Sequence, residues 1–175
     1  MIDSLGKQNR KPDLVIFFGN GPDDETWKSV NCGGNKLKSD FGIDVKFVKR
    51  KVNTGRGGAF HLGYKATMEE DLDVIIGLSA LNVPNKGVVT WVEEQFDKFE
   101  RSPKKYGMAS LVSTDFTKKK IDIFGHLICD DCACLDHFQN EDATSWIDSN
   151  KMMKNWPQKI GWPCLGLGAF SLGIV

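Results

Sequence analysis

Continuous apolar runs bounded by turn residues mark the strands of this chain. Leu14–Phe18 is preceded by a proline and followed by a glycine-rich turn, and Val74–Leu78 is a second run of the same kind. A continuous apolar run is typical of a strand that is covered on both faces, because neither face has to be polar. Alternating or glycine-interrupted runs predict three more strands, within Ile43–Val48, Met108–Val112 and Leu165–Leu172.

Helical patterns lie between these strands. Gly87–Arg101 repeats apolar residues at helical spacing, and Asn85 is placed to cap its start. A second helix is predicted over Phe60–Glu70, after a glycine-rich turn. Because strands alternate with helices, we predict an α/β fold with a mostly parallel sheet flanked by helices. The length favours one domain over residues 1–175.

Composition and charge narrow the classes of function. Lys+Arg and Asp+Glu both total 23, so the chain has no net field that would attract nucleic acid or an anionic membrane. No apolar run approaches the ~18 residues that a membrane span requires. The first residues lack the apolar segment of a signal peptide. Five cysteines without such a signal favour reduced thiols and a cytoplasmic protein.

The loops that follow the predicted strands carry the candidate chemistry, because ligands of parallel α/β sheets bind at the carboxyl ends of the strands. Gly55, Gly57 and Gly58 allow the backbone to approach a ligand closely, and the helix after them presents N–H groups to an anion. Arg56 can make a bidentate contact with a diphosphate. The same residues are also compatible with a plain strand-to-helix turn and a solvated arginine.

A cysteine cluster offers a different chemistry. Cys129 and Cys132 form a C-x2-C pair, with Cys134 and His137 close behind. This spacing is half of a structural zinc site, but a second pair of the usual kind is missing. Free cysteines in a loop are the other interpretation of this segment.

Four segments, in order along the chain, resemble motifs of family 2 glycosyltransferases, and of rhamnosyltransferase-like members in particular. Ser4–Asp13, the first strand and Asn20–Thr26 resemble the opening S-L-x-K-Q-x-x-x-P-D, strand, N-G-S-x-D-x-T. Asn53–Gly63 is similar to N-x-G-x-G-x-A-x-N-x-G, and Leu78–Pro84 aligns with L-D-A-D-N-x-P. Gly161–Phe170 is similar to the later glycine-rich segment G-P-C-G-G-A.

The resemblance implies a GT-A-like (Rossmann-like) fold that binds a nucleoside-diphosphate sugar and acts on a glycan or lipid acceptor. By position in the motifs, the nucleoside would lie near Asn20 and Asp23, and the diphosphate near Asn53, Gly55 and Arg56. Gly58 and Asn82 complete the implied nucleotide-sugar site. The implied residues near the sugar or acceptor are Gly166, Gly168 and Ala169.

The chain departs from that family where a metal would bind. Ser79 and Leu81 replace the two aspartates of D-x-D, so no divalent metal is expected there. The family's catalytic base would also lie beyond the end of this sequence, which leaves the catalytic residues unassigned and transfer activity open. The alternatives are a catalytically silent binding domain of the same fold, and an α/β domain with structural zinc at Cys129–Cys134.

Relative to the family, the sequence would also lack the first strand of the sheet. A gap of one strand spacing would then separate Leu14–Phe18 from Val74–Leu78, and unpaired inner edges favour association. We therefore expect either direct pairing of these two strands or a strand donated by another chain, as in a homo-oligomer or a strand exchange.

Overall fold

The structure, a computed structural model, describes residues 1–80 and 82–101, together with the backbone of short strands between residues 108 and 171. The chain forms two compact units. The first consists of Met1–Asp73 and Ala80–Lys105 with Val175, and the second of Val74–Ser79 and Tyr106–Ile174. Helices and strands are both present, which confirms the α/β class. A single domain over residues 1–175 stays a prediction.

The first unit contains a parallel pair of strands and four helices. Its elements are α1 (Ile2–Gly6), β1 (Leu14–Asn20), α2 (Asp24–Phe41), β2 (Asp44–Arg50), α3 (Gly55–Thr67) and α4 (Val88–Arg101). β1 and β2 pair in parallel from Leu14 opposite Asp44 to Asn20 opposite Arg50. α2 is the crossover that parallel pairing requires. Among the described residues, no helix is both long and apolar enough to cross a membrane.

The helices α2 and α3 cover opposite faces of the strand pair. Phe17 and Phe47 lie on one face, with ring centroids 5.7 Å apart. The α2 backbone reaches this face at Gly34, where an added Cβ would collide with the Phe47 ring. On the other face, a Cβ at Gly63 of α3 would lie 3.9 Å from Phe18. Side chains alternate along a strand, so this arrangement follows from the sequence of β1 and β2.

The core of the first unit is centred on the end of α2. Leu37 is fully buried, and Ile43, just after the helix, is 2% exposed. Gly42 between them has φ 66°, a left-handed conformation that favours glycine. The Ile43 N–H donates to the Leu37 carbonyl at 3.2 Å, and the Gly42 N–H donates to the Lys38 carbonyl at 3.2 Å. This hydrogen-bond pattern ends the helix and turns Ile43 back toward the core.

A buried glutamine connects α1 to the start of α4. Gln8 is 5% exposed, and its Nε2 donates to the carbonyls of Ser4 at 2.9 Å and Asn85 at 2.7 Å. The Val89 N–H donates to the Gln8 Oε1 at 3.3 Å. The Ser4 hydroxyl also donates to the Pro84 carbonyl. The side chain that caps α4 is therefore Gln8, while Asn85, the predicted cap, offers its backbone carbonyl.

We predict that Gln8→Ala lowers the free energy of unfolding by roughly 1–3 kcal/mol, because it removes the three hydrogen bonds of a side chain on a residue that is only 5% exposed. Urea unfolding followed by circular dichroism measures the change. Lys7→Ala, at an exposed neighbouring position, is the control and should change stability by less than about 0.5 kcal/mol. Equal effects of the two substitutions would show that these hydrogen bonds do not hold α4.

The second unit is described as backbone strands, all in antiparallel pairs. β3 (Val74–Ile76), β4 (Met108–Ser110) and β9 (Gly168–Ser171) form a sheet in the order β3-β9-β4, with β9 antiparallel to both neighbours. Two separate antiparallel pairs are β5 (Ser113–Thr114) with β6 (Ile121–Ile123), and β7 (His126–Ile128) with β8 (Cys134–Asp136).

Two sequence-based expectations need correction. A mostly parallel sheet is wrong for the described strand pairs other than β1–β2. The connections 115–120 and 129–133 are too short for a parallel crossover, which needs a dozen residues or more. The helix predicted over Phe60–Glu70 begins earlier, at Gly55, and ends at Thr67, because the glycine-rich segment itself forms the first turn.

The five predicted strands all correspond to described strands, but their pairing differs in one respect. β1 pairs with β2, and β3 pairs with β9. The expected pairing of Leu14–Phe18 with Val74–Leu78 is not among the strand pairs of the described residues. A strand donated by another chain stays a prediction.

Candidate functional site

The carboxyl ends of β1 and β2 are joined by a close contact between the two loops that follow them. The Gly21 N–H donates to the Arg50 carbonyl at 3.1 Å, and Gly21 has φ 66°. A Cβ at Gly21 would lie 2.6 Å from the backbone nitrogen of Asn53. Glycine is therefore required here both by its conformation and by the approach of the second loop.

Asn20 binds the second loop with its whole side-chain amide. Its Nδ2 donates to Asn53 Oδ1 at 2.9 Å and to the Gly55 carbonyl at 3.2 Å. Its Oδ1 accepts from the Thr54 N–H at 3.1 Å and from the Thr54 hydroxyl at 3.0 Å. These contacts use both amide hydrogens and both lone pairs. Asn20 therefore positions the loop, and in this conformation its amide has no capacity left for a ligand.

The loop that Asn20 holds is the start of α3. Asn53 Oδ1 accepts from the Gly55 N–H at 2.8 Å, and Gly55 has φ 73°. Thr54, the N-cap residue, makes no side-chain cap hydrogen bond, and the first turn has no acidic residue. Arg56 and Gly57, in this first turn, are exposed residues. This end of the helix attracts anions, because its N–H groups point outward and its dipole is positive.

Two glycines in this turn differ in the space around them. A Cβ at Gly58 would lie 2.5 Å from the Thr54 hydroxyl oxygen, which is bonded to Asn20. A Cβ at Gly57 would meet nothing within 4 Å. Gly58 is therefore needed for the packing of the turn, while Gly57 leaves room beside the backbone.

Arg56 lies along α3. Its guanidinium carbon is 5.9 Å from the centroid of the Phe60 ring, and Phe60 stacks on Tyr64 at 6.0 Å. Tyr64 is half-buried, and this burial raises the pKa of its hydroxyl to about 12. The Phe60 ring thus makes a cation–π contact with the Arg56 guanidinium, and Tyr64 stacks on the same ring.

Asp23 is the N-cap residue of α2. Its Oδ1 accepts from the Thr26 N–H at 2.6 Å. This backbone hydrogen bond from Thr26 is the main reason that the pKa of Asp23 lies below its ordinary value of 3.8. A contact between Asp23 and a nucleoside stays a prediction.

The pKa of Asp23 leads to a prediction about acid. Because the folded-state pKa is depressed, the cap stabilises the helix above the unfolded-state pKa and is lost as pH falls through the folded value. We expect amide exchange in the first turn of α2 to accelerate as pH drops below about 4, relative to intrinsic exchange rates. Asp23→Ser, which caps without titrating, should remove this pH dependence; a variant that keeps it would rule out Asp23 as the cause.

Arg50 is a site residue that sequence reasoning missed. The strand register places it beside Asn20, on the face that carries the Asn20–Thr54 contacts. Lys49, its neighbour, lies on the other face, where its Nζ is 3.0 Å from Asp24 Oδ1 and 5.7 Å from the centroid of the Trp27 ring. Side chains alternate between the two faces of a strand. Counting from Phe47 in the sequence would therefore have placed Lys49 on the face of Phe47 and Arg50 on the opposite face.

The end of β1 leaves no room for a side chain at position 19, which is a glycine. A Cβ at Gly19 would lie 2.6 Å from the Trp27 ring and 2.9 Å from Pro22. The indole of Trp27 therefore occupies the space that a side chain at position 19 would need.

The structure describes some of the remaining predicted site residues and not others. Asn82 is half-buried in the first unit. Gly168 pairs with Ser110, and Ala169 pairs with both Ile76 and Ala109 in the second unit. Cys134 begins β8. Predicted residues that lie outside the described residues are Leu81, Cys129, Cys132, His137 and Gly166.

In the described part of the chain, no group of three or more His, Cys, Asp or Glu side chains is arranged to hold a metal ion. The zinc interpretation of Cys129–Cys134 is untouched by this result, because Cys129 and Cys132 are outside that part. It stays a prediction.

Comparisons of this chain with protein-family models, with curated proteins and with solved structures found no match.

Proposed function

We propose that this protein is a glycosyltransferase-like protein of GT-A-like fold that binds a nucleoside-diphosphate sugar at the carboxyl ends of β1 and β2. The observation that carries the proposal is the Asn20 amide, which makes four hydrogen bonds to the loop that starts α3. An exposed surface turn does not need such support for stability alone. The cost of ordering a loop is justified where the loop has to be ready for a ligand.

The chemistry of this turn suits a phosphate. The first turn of α3 has exposed residues, no acidic residue and open space beside Gly57. Backbone N–H groups at a helix start bind phosphate in many α/β proteins, and this end of a parallel strand pair is where their ligands bind. Arg56 adds a positive charge at the same turn.

Metal-dependent sugar transfer does not fit the residues of this chain. Ser79 and Leu81 stand where the resemblance has metal-binding acids, and leucine cannot ligate a metal. We therefore expect the isolated chain to bind the nucleotide sugar without transferring the sugar in a metal-dependent manner. A catalytically silent binding domain is the second candidate function, and the replacement of both acids favours it. A glycan or lipid acceptor is proposed from the resemblance alone.

Calorimetric titration with UDP-, GDP- and dTDP-sugars tests the proposal. We expect saturable binding of at least one of them, unchanged by manganese. Binding of none would contradict the proposed function. Manganese-dependent hydrolysis of a nucleotide sugar would contradict the metal-independent form of it. Metal analysis of the purified protein is the companion measurement, because about one zinc per chain would favour the structural-zinc alternative.

A further inference from the structure

We propose that Arg50 is a binding residue for the diphosphate of the nucleotide, an inference that rests on the proposed function. β2 carries three cationic side chains, Lys46, Lys49 and Arg50. Lys46 is bonded to Glu70 and lies 3.9 Å from Glu69. Lys49 is bonded to Asp24. Arg50 has no carboxylate within ion-pair distance among the described residues.

The position of Arg50 distinguishes it from an ordinary surface arginine. It is the last paired residue of β2 and is in register with Asn20. Register partners of neighbouring strands share a face at a separation of ~4.8 Å, so Arg50 and Asn20 share the face on which Asn20 binds Thr54. The Arg50 backbone is fixed as well, because its carbonyl accepts from the Gly21 N–H. Register and this backbone hydrogen bond thus fix an arginine without a described carboxylate partner on the same face as the Asn20–Thr54 contact.

The charge of the ligand gives this arginine a function. A nucleoside diphosphate brings at least two negative charges, and the acids that would hold a metal to offset them are replaced by Ser79 and Leu81. Protein cations therefore have to supply the compensation, and a guanidinium does so with directed, charge-assisted hydrogen bonds. To reach a phosphate, Arg56 would give up its contact with the Phe60 ring, whereas the Arg50 side chain has no such contact among the described residues. Arg50 is accordingly the stronger of the two phosphate contacts.

Calorimetric titration of the full chain with UDP, GDP and dTDP tests this inference, using whichever nucleotide the wild type binds most tightly. We expect Arg50→Ala to weaken binding by on the order of tenfold or more, and Arg50→Lys to restore part of it. The loss for Arg56→Ala should be smaller. Wild-type affinity should fall with ionic strength, and Arg50→Ala should make this dependence shallower.

Lys49→Ala and Lys51→Ala are the matched controls, because each removes one positive charge next to Arg50. We expect each to change affinity by less than about threefold, since exposed charges outside direct contact are screened. An unchanged melting temperature of Arg50→Ala would show that the fold is retained. If the wild type binds but Arg50→Ala binds equally well, or no worse than the two lysine variants, the inference is wrong and the proposed function stands. If the wild type binds none of the three nucleotides, both are wrong.

Discussion

Replacing Leu37 by alanine should lower the free energy of unfolding by about 2–5 kcal/mol, the range for leucine-to-alanine changes in a packed core. Leu37 is fully buried, and its carbonyl accepts the hydrogen bond from Ile43 that ends α2. The substitution therefore leaves a cavity where the end of α2 meets the residues leading into β2. Since β2 positions Arg50 and the loop to α3, loss of this packing would reach the candidate site through the backbone.

Urea unfolding followed by circular dichroism measures this effect. Met68→Ala is the control, because it also shortens an apolar side chain but at a position that is 67% exposed. It should change the free energy of unfolding by less than about 0.5 kcal/mol. A loss below about 1 kcal/mol for Leu37→Ala would mean that the site collapses around the smaller side chain, or that Leu37 is not part of a packed core.

Asn20→Asp should weaken nucleotide binding by roughly 30- to 150-fold, equivalent to about 2–3 kcal/mol. The two side chains have the same shape, but aspartate lacks the amide N–H groups that donate to Asn53 Oδ1 and to the Gly55 carbonyl. Oxygen then faces oxygen at both contacts, and a negative charge is placed beside the phosphates. Calorimetric titration with the nucleotide that the wild type binds measures the loss.

Asn31→Asp is the matched control for this substitution. It makes the same chemical change in α2, where the Asn31 Nδ2 donates to the Trp27 carbonyl at 2.7 Å. We expect its affinity to stay within about threefold of the wild type, because one distant charge is largely screened. Equal losses in the two variants would trace the effect to net charge and would remove the argument that Asn20 organises the loop.

Local sequence signals predicted β1, β2, α3 and α4 of the first unit, whereas α1 and the bounds of α2 were not predicted. The apolar run of β1, the partly alternating pattern of β2 and the helical stripe of α4 each predicted an element close to its observed bounds. The glycine residues before α3 led to a less exact prediction of where that helix begins. The segment from Gly55 to Gly58 reads as a turn because glycine disfavours helix, yet it forms the first turn of α3.

Pairing was harder to predict, because it depends on which strands meet in space. β9 contains Gly168 and Ala169 and lies between β3 and β4 with antiparallel register on both sides. Nothing in the local pattern of these residues distinguishes a parallel from an antiparallel neighbour. The short connections before β6 and β8 did carry that information, since they exclude a crossover.

The sequence by itself determined the α/β class and the loops with candidate chemistry, because these depend on residue type and spacing. It also showed that Ser79 and Leu81 stand where the resemblance has aspartates. Only the tertiary structure decided the roles within the site. Asn20, predicted to contact a nucleoside, uses all its hydrogen-bonding capacity on Asn53, Thr54 and Gly55. Arg50 became a candidate because strand register placed it beside Asn20. The physical reason is that hydrogen-bond satisfaction and charge pairing are relations between distant residues, which composition and periodicity do not contain.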